Sequence, residues 1–226
     1  MNPEGKTLVS WSTGKDSAWT LYHVQRDPAF ELTGIFCTVN KEFNRTAMHA
    51  VRIALLEKQA RCLGLPVEIL EIPYPCSNTD YERLMADYVA RVKARGVTRI
   101  AFGDLFLEDI RDYRIAKLKG SGIAPVFPLW GKPTDLLAQE MIDAGVKAVI
   151  TCVDPKQLPA EFVGRQFDHD FLAALPPGVD PCGERGEFHS FVYDGPMFAS
   201  AIDIVVGEIV HRDGFVFADV LPMAVA

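Results

Sequence analysis

The sequence has no cysteines at Cys-x-x-Cys spacing, and its 5 cysteines, Cys37, Cys62, Cys76, Cys152 and Cys182, are scattered along the chain. An odd, dispersed set argues against a disulfide framework and against a zinc knuckle. No apolar run approaches the roughly 18 residues that span a bilayer, and Met1 to Gly5 lead into no apolar signal segment. A cytoplasmic location with no membrane partner is therefore expected. Positive charge is also scarce: 23 Lys and Arg stand against 30 Asp and Glu, for a net charge of −7. A chain with this balance lacks the broad basic face that holds nucleic acid. What is plentiful is apolar content, 49% of 226 residues, enough for the core of one large domain or two small ones.

From residue 7 to about 126, short β-branched runs alternate with longer helical ones. The spacing predicts strands near 7–11, 32–39, 67–72, 99–102 and 124–127, with helices over 15–26, 47–64, 78–95 and 105–119. Gly64, Gly96 and Gly120 or Gly122 stand where C-terminal caps belong. Repeated strand, helix, strand implies an α/β fold, a doubly wound parallel sheet with ligands at the carboxyl ends of its strands. After Pro125 prolines interrupt shorter elements, which predicts a smaller C-terminal α+β lobe. It should hold a helix at 134–144, a strand at 146–152, short helices within 159–174, and β segments at 188–193, 200–210 and 215–221. The expected division is 1–127 and 128–226.

Four segments carry candidate chemistry. The first is Ser12-Thr13-Gly14-Lys15-Asp16-Ser17, between the first strand and the first helix. A strand that turns into a helix presents unpaired N–H groups and the positive end of the helix dipole to one point, which suits an anion. Lys15 adds a full charge. Val9 and Asp16 replace the Gly and the Ser or Thr of the usual P-loop, so this is no Walker A site. Gly14 is expected to be the residue that takes positive φ. The plainer alternative is a capped turn, with Ser12 or Thr13 as N-cap and Asp16 in the first turn.

The second segment follows the fourth predicted strand, so Gly103 and Asp104 should share the sheet edge with the first loop, with Asp104, Glu108, Arg111 and Ile115 on one helix face. Asp104 would help hold Mg²⁺ on nucleotide phosphates while Arg111 and Arg114 bind an anion; a solvated helix with ion pairs is the alternative. In the third segment, Asn40 follows the second strand, and His49, Arg52, Leu56 and Gln59 share a helix face close enough for its first turn to reach a nucleotide. The fourth is Asp180-Pro181-Cys182-Gly183-Glu184-Arg185-Gly186-Glu187-Phe188-His189-Ser190. Glu184 or Glu187 would orient ammonia or act as a base there. Metal ligation by Cys182, Glu184, Glu187 and His189 is the lesser reading.

Ser12 to Ser17 resembles the Ser-Gly-Gly-x-Asp-Ser pyrophosphate loop of the N-type ATP pyrophosphatases, with Thr13 in place of the first Gly. Together with Gly103-Asp104, Pro128-Leu129-Trp130 and Gly183-Glu184-x-Gly186-Glu187-Phe188, it makes nearly the whole chain resemble the diphthine ammonia ligase family. The resemblance implies a Rossmann-like, HUP-type PP-loop fold and an AMP-forming amide synthase that uses ATP, Mg²⁺ and ammonia. The acceptor it implies is a carboxylate, in that family on a modified protein residue. It also implies nucleotide binding by 1–127 and acceptor binding by 128–226. The implied catalytic residues are Lys15, Asp104, Arg111, Glu184 and Glu187. Ser12, Thr13, Gly14, Lys15, Asp16, Ser17, Asn40, His49, Gly103 and Arg114 would bind the nucleotide. The family loop typically continues with Gly at position 185 and Glu-Thr at 189 and 190, whereas this chain has Arg185, His189 and Ser190; the acceptor pocket is therefore expected to differ. The competing expectations are a tRNA-modifying enzyme of the same superfamily and an adenine-nucleotide sensor without turnover. Apolar β runs such as Ala201 to Val206 make a homodimer an expectation as well.

Overall fold

Five short segments rich in β-branched and apolar residues form the parallel core of one sheet, as alternation with helices requires. The structure is a computed structural model that describes residues 5–43, 45–46 and 51–223. In chain order its first sheet contains β1 (Lys6–Ser10), β2 (Glu31–Asn40), the two-residue β3 (Arg45–Thr46), β4 (Val67–Ile72), β5 (Val97–Ala101) and β6 (Ala124–Val126). The order across the sheet is β4, β2, β1, β5, β6, all parallel, with β3 antiparallel on the end of β2. Chain order reverses between β1 and β5, which puts the switch point at the ends of those two strands.

Helices α1 (Lys15–Arg26), α2 (Ile53–Leu63), α3 (Asn78–Ala94) and α4 (Glu108–Leu118) connect these strands. Gly64 closes α2 at φ 65°, in the left-handed region, as its position predicted. Two helix starts differ from expectation. Of the helix expected from 47, residues 47–50 lie outside the described residues and α2 begins at Ile53, after Val51 is tied to Thr46, its carbonyl accepting the Thr46 N–H (2.8 Å) and its N–H donating to the Thr46 hydroxyl (3.1 Å). The helix expected from 105 begins at Glu108, because the Leu105 N–H goes to the Glu184 carboxylate (2.8 Å) and the Leu105 carbonyl accepts from Gly131 (2.8 Å). Asp104 thus lies in a loop and not on the face shared by Glu108, Arg111 and Ile115.

The second sheet follows α5 (Thr134–Asp143) and contains β7 (Lys147–Val153), β8 (Phe188–Asp194), β9 (Ile204–Arg212) and β10 (Phe215–Pro222), ordered β8, β7, β10, β9 and antiparallel throughout. A 3-10 turn (Ala160–Phe162) and α6 (His169–Ala174) lie between β7 and β8. Helix α1 is buried on most of its surface, through Ala18, Trp19, Leu21 and Val24, because the first sheet packs on one side of it and β8 lies on the other. One apolar cluster runs from Val9 and Trp19 to Ile150, Phe171 and Phe188.

A second tie is ionic. Asp219 on β10 accepts from Arg52 through both carboxylate oxygens (3.0 and 2.6 Å) and from Arg45 (3.0 Å), and its side chain is 16% exposed. The Arg52 hydrogen bond, with Arg45 beside it, holds the Asp219 carboxyl below its ordinary value of 3.8. A depressed carboxylate contributes stability above its unfolded value and loses it as pH falls through the folded one. Asp219→Asn is expected to lower stability by about 1–3 kcal/mol at neutral pH, with the deficit shrinking below about pH 4; urea unfolding at the two pH values measures this. No described helix is long and apolar enough to cross a membrane.

Candidate active site

The ends of β1 and β5 face a cleft of about 700 Å³ at the switch point. Ser12, Lys15, Asp16, Ser17, Gly103, Asp104, Arg114 and Glu184 all line it, so three of the four sequence segments meet there. Phe36, Cys37 and Thr38 from β2 and Ile72 from β4 form a further wall.

The first loop has a conformation its composition did not announce. Thr13, not Gly14, lies in the left-handed region, at φ 74°, while Gly14 is at φ −92°. The position where the pyrophosphatase signature carries its first Gly is thus the one that needs positive φ, and a β-branched residue is strained there. Ser12 and Ser17 stitch the turn: the Ser17 hydroxyl donates to the Gly14 carbonyl (2.9 Å) and accepts from the Ser12 N–H (3.2 Å). The Lys15 N–H reaches across to the Ser190 hydroxyl on β8 (3.2 Å).

Lys15 is only 2% exposed. Its ammonium donates to both oxygens of Asp16 (3.1 and 2.9 Å) and to the Cys182 carbonyl, and it lies 5.2 Å from the centroid of Phe188 and 5.6 Å from that of Phe167. Burial works against this charge, but the Asp16 carboxylate, with Cys182 and Glu184, outweighs it and holds the Lys15 pKa above its ordinary value. Burial pushes the Asp16 carboxyl up against the pull of Lys15. Gly103 has no room for a side chain: an added Cβ would sit 3.1 Å from the carbonyl carbon and oxygen of Asp16 and 3.2 Å from the Ser17 nitrogen. The two loops are packed backbone to backbone.

Asp104 faces Arg114, with 3.6 Å between Oδ2 and Nε, and Oδ2 is buried without a hydrogen-bond partner. Burial pushes its carboxyl up, with Arg114 opposing and Asp16 adding to the shift. A buried carboxylate oxygen beside an anion loop, with no hydrogen bond and only the 3.6 Å ion pair to Arg114, fits Mg²⁺ held through one carboxylate and phosphate oxygens. Among the described residues no three His, Cys, Asp or Glu side chains converge to hold a metal ion by themselves.

Glu184 reaches the cleft from the opposite wall. Its Oε1 accepts the Leu105 N–H at 2.8 Å. Burial lifts its carboxyl to about 7, with Asp16 and Asp104 adding to the shift and the Leu105 N–H and Lys15 opposing it. Arg185 lies on the rim with its guanidinium 5.2 Å from the Phe106 centroid, and His189 lines the cleft.

Several expected site residues stand elsewhere. Arg111 stacks on Trp130 at 4.3 Å and is not among the lining residues; Arg114 is the guanidinium in the cleft. Glu187 is buried, one carboxylate oxygen accepting from Asp180 N–H and the other from Arg185 N–H (2.9 Å each), so it braces the 180–187 loop and is not a base facing the cleft. Asn40 caps the turn after β2, accepting from Glu42 and Phe43 N–H (3.0 and 3.3 Å), and does not line the cleft. His49 lies outside the described residues. The Ser190 hydroxyl and Cys182 carbonyl, both facing Lys15, had no sequence signal beyond their place in a loop with two glycines.

Both halves of the chain are similar to known proteins. The model of the diphthamide synthase N-terminal domain matches residues 5–122, and that of the diphthamide synthase C-terminal domain matches residues 133–220. A diphthine--ammonia ligase of Bos taurus is 32% identical over 179 residues, covering 76% of this chain and 67% of that protein. The diphthine--ammonia ligase of Homo sapiens is 26% identical over the same shares, and that of Danio rerio 32% over 97 residues, 40% of this chain and 38% of its own. With both halves matched and a relative aligned along most of its length, the chain belongs to the diphthamide synthase family.

Proposed function

We propose that this protein activates an acceptor carboxylate as its adenylate, releasing pyrophosphate from ATP, and then transfers ammonia to it. The chain is an ATP-dependent carbon–nitrogen ligase of the amide-forming kind, like the relatives named diphthine--ammonia ligase. The observation that carries the mechanism is the placing of Lys15, Asp104, Arg114 and Glu184 around one cleft at the switch point. An acceptor carboxylate oxygen attacks the α-phosphorus, the bond to the β-phosphate oxygen breaks, and pyrophosphate departs toward the Ser12–Ser17 loop. Lys15, Arg114 and the N–H groups of Asp16 and Ser17, those of Ser12, Gly14 and Lys15 being engaged by serine hydroxyls, stabilise its developing charge. Asp104 would hold Mg²⁺, which neutralises phosphate charge when bound. Ammonia then attacks the acyl carbon, AMP leaves, and Glu184, titrating near 7, takes the surplus proton.

Residues 1–127 form the nucleotide part of this reading and 128–226 the acceptor part. Arg185 and His189, where the family pattern has Gly and Glu, favour an acceptor richer in negative charge than diphthine. The thiols offer no support for sulfur transfer to tRNA: burial pushes Cys37, in the cleft wall, up to about 12 and raises Cys182 as well, so neither presents a thiolate. The exposed edge strand β9, with Val205, Val206, Ile209 and Val210, is where a homodimer would pair.

Purified protein incubated with Mg²⁺, α-labelled ATP and ammonium, with and without cell extract, is expected to form AMP and pyrophosphate when extract supplies the acceptor. ADP as the product would overturn the loop assignment, and tight nucleotide binding without either product would make the protein a sensor.

A further inference from the structure

Three features of the first loop belong together. Thr13 is held at φ 74°, its hydroxyl is fully buried without a partner, and its carbonyl oxygen accepts two hydrogen bonds, from the Gln59 amide (3.0 Å) and from the Val192 N–H (3.0 Å). Gln59 is 0% exposed, and both ends of its amide are engaged. Its Oε1 accepts from the Trp11 indole N–H (2.8 Å), while its Nε2 donates to the carbonyls of Thr13 and Val192 (3.0 and 2.6 Å). An indole N–H only donates and a carbonyl only accepts, so the orientation of this amide is determined by its three partners.

We infer that Gln59 is a positioning residue that holds the anion loop in its strained shape, the strain being that of Thr13 in a conformation glycine would adopt freely. Thr13 loses free energy in that conformation and gains no hydrogen bond through its own side chain. The clamp on its carbonyl opposes its return to φ < 0, which would swing the Thr13–Gly14 peptide and with it the N–H groups that follow. Because Gln59 also grips the end of β1 through Trp11 and β8 through Val192, the loop's shape depends on the docking of the second sheet against the first.

This rests on the reading that the loop binds ATP. The apparent affinity falls with the fraction of molecules in the binding shape. Without the clamp, a strain of the usual size makes that fraction small.

The experiment is a four-protein cycle of wild type, Gln59→Met, Thr13→Gly and the double variant. Mg-ATP Kd is measured by equilibrium dialysis, and urea unfolding is followed by circular dichroism. Gln59→Met alone is expected to raise the Kd about tenfold or more. Thr13→Gly alone supplies the reference Kd for the glycine background and should unfold at higher urea. Adding Thr13→Gly to Gln59→Met should return the Kd to within about threefold of wild type. A rescue of this kind does not occur if Gln59 merely supports the fold. Equal losses in Gln59→Met and the double variant would overturn the inference. So would a Thr13→Gly protein less stable than wild type. Failure of wild type to bind Mg-ATP would instead remove the ATP reading; the unfolding measurements still decide the clamp, which requires Gln59→Met to cost less stability in wild type, where the loop relaxes and recovers the Thr13 strain, than in the Thr13→Gly background.

Discussion

Replacing Lys15 by methionine is expected to reduce AMP formation by about 10²–10³-fold while also destabilising the fold by about 3–5 kcal/mol. Both effects come from one atom. The ammonium lies between the Asp16 carboxylate and the Cys182 carbonyl, with two phenyl faces beside it, at 2% exposure. Methionine preserves the aliphatic stem but leaves Asp16 without its cation and the Cys182 carbonyl without that donor. It also removes the cationic link between the nucleotide loop and the 180–187 loop that carries Glu184. Because the Lys15 pKa is raised, its contribution is fully present below the ordinary value of 10.5 and is lost only as pH rises past the folded one, so the deficit should be constant across neutral pH. Single-turnover AMP release and urea unfolding at neutral pH measure the two effects. A variant that unfolds at lower urea yet turns over at the wild-type rate would reduce Lys15 to a structural tie.

The sequence reached the fold through local signals and missed what depends on contacts across the chain. Helix α1 starts at Lys15 and ends at Arg26 as its pattern predicted, since a glycine turn, an acid in the first turn and an apolar stripe agree there. Helix α4 starts later than expected because its first residues are engaged by Glu184, 79 residues away. Arg111 and Arg114 are equally good anion ligands on spacing alone. Only the position of Trp130, which takes Arg111 away, decides between them. Glu184 and Glu187 are indistinguishable in sequence; in the structure, loop N–H groups occupy both oxygens of Glu187 and only one of Glu184. Thr13 misled for another reason: composition favours Gly14 for the left-handed position, whereas the clamp from Gln59 and Val192 selects the residue before it. Charge and periodicity locate a site, and its roles are set by partners that no local window contains.

Glu184→Gln should separate activity from stability. If Glu184 takes the proton released when ammonia attacks, the wild-type rate, measured at a fixed concentration of free NH3, rises with pH and levels off above about 7, where the carboxylate is ionised. The variant, with no titrating group there, should lose about 10²–10⁴-fold and show no such rise. Stability should move the other way. Burial raises the folded pKa of Glu184 above its ordinary 4.5, so the folded state binds this proton more tightly than the unfolded chain. Its contribution therefore favours folding at low pH and falls away as pH climbs from about 4.5 to about 7. Glutamine keeps the acceptor for the Leu105 N–H and carries no charge to bury. It should be close to wild type in urea at about pH 5 and more stable at about pH 8. An enzyme that becomes inactive and more stable by losing one buried carboxylate has used that carboxylate for chemistry at the expense of its fold. A Glu184→Gln protein that kept the wild-type pH–rate profile would assign the proton transfer to another group. One that unfolded at lower urea at both pH values would mean that the Leu105 contact needs the carboxylate charge.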